Sequence, residues 1–285
     1  MPSDAQRTPI IEVKDAILRY PLSGYSRGSI KSSLLTGRSG SNKRERTYVE
    51  ALSGVSFTVY QGDRVGIIGR NGAGKSTILR AIAGIYPLEQ GSIAVNGRVR
   101  GLYDLAVGFE AEETGRRNIY YRGYLLGYKH AQISQLEQQI IDFAEIGDFI
   151  DLPIRTYSAG MTIRLAFSIS TMLGGDALLI DEILAAGDAE FAVKAASRMM
   201  ALIDEASCIV LVSHDMTSIA KICNRVIWLE HGRIHEDGAP EVVIPAYTGI
   251  PLPVPAAAAT APDDQNDEVP DAERASSNVT QLKAS

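Results

Sequence analysis

The residues best suited to chemistry lie in the segment Gly69–Thr77, which reads GRNGAGKST. It matches G-x-x-x-x-G-K-[ST], a pattern in which glycines let backbone N–H groups point inward around phosphates. A buried strand is predicted directly before the segment and a helix directly after it. We expect Lys75 to reach the β- and γ-phosphates of a nucleotide and Ser76 to bind Mg²⁺. Nucleotide contacts are expected from Gly69, Asn71, Gly72, Ala73, Gly74, Lys75, Ser76 and Thr77.

Two further apolar runs end in polar residues that fit the same site. Asp176–Glu182 reads DALLIDE, and Ser207–His214 reads SCIVLVSH. Asp181 is placed to hold Mg²⁺ directly or through water, while Glu182 faces elsewhere and could polarise a water molecule. Acid pairs and single histidines also occur on solvated strand ends. Beside a phosphate loop, however, we interpret His214 as a contact to the γ-phosphate.

A second turn suited to anions lies far downstream, in YSAGMTIRLAF, residues Tyr157–Phe167. Small or flexible residues precede an amphipathic helix here, and the N–H groups of a helix start are open to an anion. One chain would therefore carry two phosphate-binding turns. That arrangement makes sense if the phosphate loop of one subunit and the second turn of another subunit contact opposite faces of a nucleotide held between them.

The elements that must position these residues alternate between strand and helix, which predicts an α/β fold with a mainly parallel sheet. Pro9–Tyr20 is patterned as a strand, and Asn96-Gly97 is a strong hairpin signal. Asn224–Gly238 is typical of a last hairpin. Between Glu110 and Asp151 the chain changes character, and Ile133–Ile146 has helical periodicity. A helical insertion is therefore expected within the α/β core.

Two segments stand outside this pattern. From Leu22 to Thr47 the chain carries six Lys or Arg and one Glu, which predicts a basic insertion at 21–47. Residues 250–285 are rich in Pro and Ala and then acidic, and they lack aromatic residues. Such a segment cannot bury enough apolar surface to offset its ordering entropy. We expect a disordered tail there.

The totals exclude several classes. The 285-residue chain has a net charge of −6, which argues against a nucleic-acid partner. No run of about 18 apolar residues predicts a membrane span, and the N-terminal residues lack the apolar region of a signal peptide. Cys208 and Cys223 lie in apolar contexts without CxxC spacing. We therefore expect buried, reduced thiols in a cytosolic protein.

Taken in their order along the chain, the motifs resemble those of the ATP-binding subunit of an ABC transporter. YSAGM looks like a degenerate form of that family's signature motif, Leu-Ser-Gly-Gly-Gln. Three further segments are similar to the branch that exports cell-surface polysaccharides such as O-antigen, capsule and teichoic acid. The resemblance covers roughly residues 9–248 and is carried by GRNGAGKST, YSAGM, ALLIDE, AAGD, SHD, TGRRNIY, RLAFSIS and LAAGDAEF.

The resemblance implies an ATP-binding domain at 9–249, with a RecA-like P-loop core, an antiparallel β subdomain and a helical subdomain at about 110–160. It implies a homodimer that hydrolyses ATP with Mg²⁺ beneath two copies of a separate transmembrane permease, at the cytoplasmic face of the inner membrane. The basic insertion could then meet the permease or an anionic membrane surface. Alternatives are export of another lipid or small solute, or a soluble ABC ATPase outside transport.

The resemblance also implies roles for single residues. An aromatic residue after the first strand stacks on adenine, and both Tyr20 and Tyr48 are candidates. Ser158 and Gly160 of one subunit would cap the γ-phosphate bound by the other, and Asp188 would lie across the same interface.

One expected residue is missing. The family has a glutamine between the phosphate loop and the helical part, but no Gln occurs from Arg98 to Thr114. Asp104, Glu110 and Glu112 are candidate replacements, and Asp104 is favoured by its position before Gly108-Phe109. A carboxylate could still bind water or metal.

Overall fold

The computed structural model describes residues 7–21, 48–102, 108–181 and 189–250. Asp104, Glu182 and Asp188 lie outside the described residues, as do 22–47 of the basic insertion and the tail beyond residue 250. Within the described part, strands form two sheets: β1 (Pro9–Pro21), β2 (Tyr48–Tyr60), β3 (Arg64–Ile68), β4 (Gln90–Val95), β5 (Val99–Leu102), β6 (Ala177–Asp181), β7 (Cys208–Val212), β8 (Arg225–Glu230) and β9 (Arg233–Gly238).

The larger sheet has the strand order β5-β6-β7-β3-β8-β9, and only β9 runs antiparallel to its neighbour. Its central strands are apolar throughout, as strands covered on both faces must be. Every residue of β7 is buried, and in β6 all but the last, Asp181, are buried. The predicted α/β class with a mainly parallel sheet is confirmed, as is the last hairpin, formed by β8 and β9.

The smaller sheet is antiparallel, in the order β2-β1-β4. Strand β1 points Ile11, Val13 and Leu18 into the core and leaves Lys14 and Asp15 exposed. Both sheets contribute to one apolar cluster, which also includes Ile78 and Leu79 of the first helix. The predicted strand at Pro9–Tyr20 and the antiparallel β subdomain are both present.

The hairpin predicted at Asn96-Gly97 is wrong. Strand β4 before it pairs with β1, whereas β5 after it pairs with β6 of the other sheet. The connection is held on both sides: the Asn96 side-chain amide donates to the Pro9 carbonyl (2.9 Å), and the Arg98 N–H donates to the Asp176 carboxylate (2.8 Å). The chain does turn at Asn96-Gly97, but these hydrogen bonds hold the two flanking strands in different sheets.

Seven α-helices accompany the strands in the described part of the chain. None of them has the length and apolar content needed to cross a bilayer. They are α1 (Lys75–Ile82), α2 (Gly115–Leu125), α3 (His130–Ala144), α4 (Ala159–Met172), α5 (Ala189–Glu205), α6 (Met216–Ile222) and α7 (Pro240–Thr248).

Helices α2, α3 and α4 form a helical layer with its own apolar cluster, which includes Ile119, Ile133 and Leu165. The helix predicted around Ile133–Ile146 is α3. Helix α4 ends at Met172, so the helical layer continues past the predicted end near residue 160.

The start of α5 and the helical layer meet at an aromatic and ionic joint. The rings of Phe143, Phe167 and Phe191 contact one another at centroid distances of 5.7–6.2 Å. Beside them, Glu145 pairs with Lys194 on α5 (2.5 Å). This joint fixes the direction of α4, the helix that begins at the second phosphate-binding turn.

Both cysteines are buried and free, in agreement with the sequence. Burial raises the pKa of the Cys208 thiol to about 12, and it does the same for Cys223. Both side chains therefore remain protonated, apolar core groups at neutral pH.

Candidate nucleotide-binding site

The site lies where three neighbouring parallel strands end. Strand β3 leads into the phosphate loop Gly69–Thr77, β6 ends in Asp181, and β7 is followed by Ser213 and His214. Val212 pairs with Ile67 of β3 on one side and with Asp181 on the other. The loop, the acid and the histidine are thus brought to one edge of the sheet, where ligands of α/β proteins usually bind.

The backbone of the phosphate loop needs its glycines. Gly69, Gly72 and Gly74 have φ of 146°, 81° and 103°, values that other residues rarely adopt. A side chain at Gly74 would also place its Cβ 2.5 Å from the carbonyl oxygen of Ala51. Gly74 directly precedes α1, so the loop presents the N-terminal end of that helix to a phosphate.

Lys75 and the metal-ligand candidates face the same cleft. The Lys75 ammonium donates to the carbonyl oxygens of Gly69 (2.8 Å) and Arg70 (3.1 Å). The cleft has a volume of about 360 Å³ and joins backbone N–H groups and an ammonium to a hydroxyl and a carboxylate. Those groups fit a triphosphate with Mg²⁺. The lining residues are Asn71, Gly72, Gly74, Lys75, Ser76, Thr77, Asp181 and Val212.

His214 is exposed at the carboxyl end of β7 and is followed by a well-anchored residue. Asp215 caps α6 by accepting from the N–H groups of Thr217 (3.0 Å) and Ser218 (3.3 Å) and from the Ser218 hydroxyl (2.5 Å). The hydrogen bond from the Ser218 hydroxyl is the main reason why the pKa of Asp215 lies below its ordinary value. The capped helix start holds the backbone on which His214 stands.

The two tyrosine candidates for adenine stacking lie on opposite faces of the β1–β2 ribbon. Tyr20 pairs with Val49, and Tyr48 pairs with Pro21, the next residue along β1. Because successive side chains of a strand point to opposite faces, the two tyrosines lie on different faces of the ribbon. The Tyr20 hydroxyl lies 3.3 Å from Oγ1 of Thr77, beside the phosphate loop. Tyr48 keeps 47% of its surface exposed. Only Tyr20 is on the loop's side of the ribbon.

The second phosphate-binding turn starts α4. Ser158 is the N-cap, and its hydroxyl accepts from the Met161 N–H (3.2 Å). Ser158 is exposed, and a Cβ added at Gly160 would meet only the Ser158 hydroxyl, at 3.8 Å. The hydroxyl of Tyr157 donates to the Phe149 carbonyl (2.6 Å), and burial raises its pKa to about 12. The turn is therefore exposed to solvent, is held in place by the Tyr157 hydrogen bond, and does not line the cleft of its own phosphate loop.

Of the carboxylates suggested for the missing glutamine, Glu110 and Glu112 do not line the cleft at Lys75. Glu112 pairs with Arg155 (3.0 Å) on the surface of the helical layer. Glu110 is exposed, and its backbone N–H donates to the Asn118 side chain (2.7 Å). Asp104 lies outside the described residues.

No motif in the sequence predicts a functional role for the turn between β8 and β9. There the N–H of Gly232 donates to the carbonyl oxygen of Ala73, inside the phosphate loop (3.1 Å). His-Gly between two strands signals a hairpin but not its neighbour in space. The contact between turn and loop could not be predicted from local residues.

A glycine-rich loop between a parallel strand and a helix, with an acid at the end of a second strand of the same sheet, defines a P-loop nucleotide-binding protein. Residues 52–185 match the family described as ABC transporter. The O-antigen export system ATP-binding protein RfbB of Klebsiella pneumoniae is 40% identical over 240 residues, which cover 84% of this chain and 97% of that protein. This chain belongs to the ABC transporter family.

Other similar proteins agree with that assignment. RfbB of Myxococcus xanthus, also an O-antigen export system ATP-binding protein, is 41% identical over 220 residues, 77% of this chain. The match spans half the length of that protein. A solved ATP-binding cassette, dimeric with ADP and Pi bound, shares the fold with a TM-score of 0.59 at 17% identity, over 81% of this chain and 99% of that one. The predicted ABC transporter ATPase of the polysaccharide-export branch is confirmed.

Proposed function

We propose that this protein is the ATP-hydrolysing subunit of an exporter that moves a lipid-linked polysaccharide across the inner membrane. The observation that carries the proposal is the cleft that joins Lys75, Ser76 and Asp181, in a chain similar over most of its length to O-antigen export ATP-binding proteins. O-antigen or capsule-type glycans are the expected substrates.

The proposed chemistry is in-line attack of water on the γ-phosphoryl group of ATP. The loop N–H groups and Lys75 bind phosphate oxygens and offset the charge that develops there. Ser76 and Asp181 would hold Mg²⁺, which supplies positive charge to the phosphates when bound, and Asp104 is a third candidate ligand. Glu182 polarises the attacking water, and His214 contacts the γ-phosphate.

We assign adenine stacking to Tyr20. Its hydroxyl lies beside Thr77 at the end of the phosphate loop, and the β1–β2 register directs Tyr48 to the other face of the ribbon. A ring in that position adds affinity with little base specificity.

The open turn at Ser158 and Gly160 supports a homodimer that encloses ATP. Because this turn is exposed and does not line its own chain's cleft, the helix start that it forms would be available to the γ-phosphate held by a second copy. Each dimer would then have two composite sites, and ATP itself would bridge the subunits.

The remaining partners follow from the export role. The dimer would act beneath two copies of a separate permease, at the cytoplasmic face of the membrane. The basic insertion 21–47 would face the permease or anionic lipid, since each Lys or Arg near such a surface adds about 1 kcal/mol. Nucleic acid is not among the proposed partners.

Lys75→Ala tests the export role in cells. We expect surface polysaccharide to be lost while its lipid-linked form accumulates inside, because phosphate binding fails. Lys221→Ala removes an exposed lysine on α6 and serves as the control. Surface glycan is measured by antibody staining and the lipid-linked form by extraction. Normal surface glycan in the Lys75→Ala cells would exclude this substrate and favour another lipid or small solute.

A further inference from the structure

The backbone of the turn at His231-Gly232 is hydrogen-bonded to the phosphate loop. The Gly232 N–H donates to the Ala73 carbonyl (3.1 Å), and the Gly232 carbonyl accepts from the Ser53 N–H of β2 (2.8 Å). Gly232 thus links the loop to the antiparallel sheet through its two backbone groups.

The loop and the turn both pack against the carbonyl group of Ala51 in β2. A Cβ at Gly74 of the loop would lie 2.5 Å from the Ala51 carbonyl oxygen, and a Cβ at Gly232 would lie 2.8 Å from the same atom. Both glycines also have positive φ, 103° and 74°. The loop and the turn are therefore packed on one carbonyl group with no room for a side chain at either glycine.

Strand β8 adds a further contact at the loop's first residue. A Cβ at Gly69 would lie 2.2 Å from the carbonyl oxygen of Leu229, which is backbone and cannot rotate away. Behind the loop, a small cleft of about 120 Å³ separates Arg70–Ala73 from Trp228–His231. The β8–β9 hairpin thus contacts the loop at its first glycine and at Ala73, while β2 contacts it at Gly74.

We propose that Gly232 is a positioning residue for ATP binding: through its bond to Ala73 it holds the phosphate loop in the shape that directs backbone N–H groups at the phosphates. The inference rests on the proposed ATP site. A loop whose N–H groups are preorganised binds phosphate without further ordering cost. Displacing the turn should therefore weaken phosphate binding while leaving adenine stacking on Tyr20 in place.

The test compares Gly232→Ala with Gly62→Ala. Gly62 has φ 84°, close to the 74° of Gly232, but nothing lies within 4 Å of its added Cβ. It precedes β3, at the opposite end of that strand from the loop. Both variants carry similar backbone strain, so a difference between them reports the clash of the new Cβ with Ala51 of β2, which would displace the turn and its bond to Ala73.

We expect Gly232→Ala to bind ATP and ADP about tenfold more weakly than wild type, and Gly62→Ala to stay within about twofold. AMP affinity should change little in either variant, because AMP makes few contacts to the loop. Binding is measured by calorimetry, with melting temperatures as the control for folding. Equal affinity losses in the two variants, or an equal loss for AMP, would overturn the role of Gly232. Failure of wild type to bind ATP would instead refute the proposed site.

A second measurement needs no variant and covers the case in which Gly232→Ala does not fold. In wild type, a non-hydrolysable ATP analogue should slow hydrogen exchange of the Gly232 amide by at least about threefold, since the bond to Ala73 becomes more persistent. The Gly62 amide, which donates to Ser207 instead, is the internal control. Unchanged exchange at Gly232 with bound analogue would contradict the proposal.

Discussion

The Lys75 side chain folds back over its own loop and donates to the carbonyl oxygens of Gly69 and Arg70. These contacts hold the ammonium at the cleft, so it needs only a local shift to reach phosphate oxygens. Asp181 lines the same cleft from the end of β6, which is separated from β3 by β7. Binding groups are therefore in place, whereas the polarisation of water is assigned to Glu182, one residue further on.

Glu182→Gln separates binding from hydrolysis. Glutamine keeps the shape of the side chain but loses the charge that polarises water, so ATP binding should persist while turnover falls at least about a hundredfold. ATPase rate and ATP-dependent dimerisation are measured on the same preparation. Turnover at the wild-type rate would remove Glu182 from this role.

Tyr20 and Tyr48 can be distinguished by affinity. Tyr20→Ala should weaken ATP binding about tenfold, because base stacking on an aromatic ring contributes about 1–3 kcal/mol. Tyr20→Phe keeps the ring and should bind nearly as wild type, and Tyr48→Ala should have little effect. Affinity for an ATP analogue is measured by calorimetry. A larger loss in Tyr48→Ala than in Tyr20→Ala would reverse the assignment.

At the scale of elements, local patterns predicted what each segment forms but not always its partner. The phosphate loop, the strand ending in Asp181 and the helix around Ile133 follow from spacing and apolar periodicity. Strand β4 pairs with β1 beside the bond from Asn96 to Pro9, and β5 pairs with β6 beside the bond from Arg98 to Asp176, about 80 residues from Gly97. Contacts over such separations carry no local signal, and the contact of Gly232 with the loop was missed for the same reason.

The Asn96-Gly97 connection gives a test at this scale. Gly97 has φ 117°, and a Cβ there would lie 2.7 Å from the Asp176 carboxylate, which accepts from the Arg98 N–H. Gly97→Ala should therefore cost about 2 kcal/mol of unfolding free energy. Gly127→Ala, at φ 80° in open space, should cost about 1 kcal/mol. Denaturant unfolding measures both, and equal costs would show that Asp176 does not anchor this turn.

At the scale of the whole molecule, the phosphate loop and the Ser158 turn each lie at the start of a helix, yet they do not share a cleft within one chain. The aromatic and ionic joint at Glu145 fixes the helix that presents the turn. In our proposal a second copy of the chain completes the site. The activity of a dimer should then depend on how two mutations are distributed between its subunits.

Tagged heterodimers test this arrangement in two forms. In the first, one subunit carries Lys75→Ala and the other Ser158→Arg, so both defects fall in one composite site and the second site is intact. In the second, one subunit carries both changes and its partner is wild type, so each site has one defect. We expect more ATP-dependent closure and hydrolysis in the first form. The reverse order would show that the turn serves its own chain's nucleotide.

Trp228 lines the small cleft behind the phosphate loop, and its ring lies 4.0 Å from that of His235 and 5.3 Å from that of Tyr247. It is the single tryptophan of the chain. Indole emission responds to the packing and polarity of its surroundings, and the indole can be excited selectively over the 12 tyrosines of the chain. Trp228 emission is therefore an optical signal from behind the phosphate loop of the unlabelled protein, suited to following nucleotide arrival in real time.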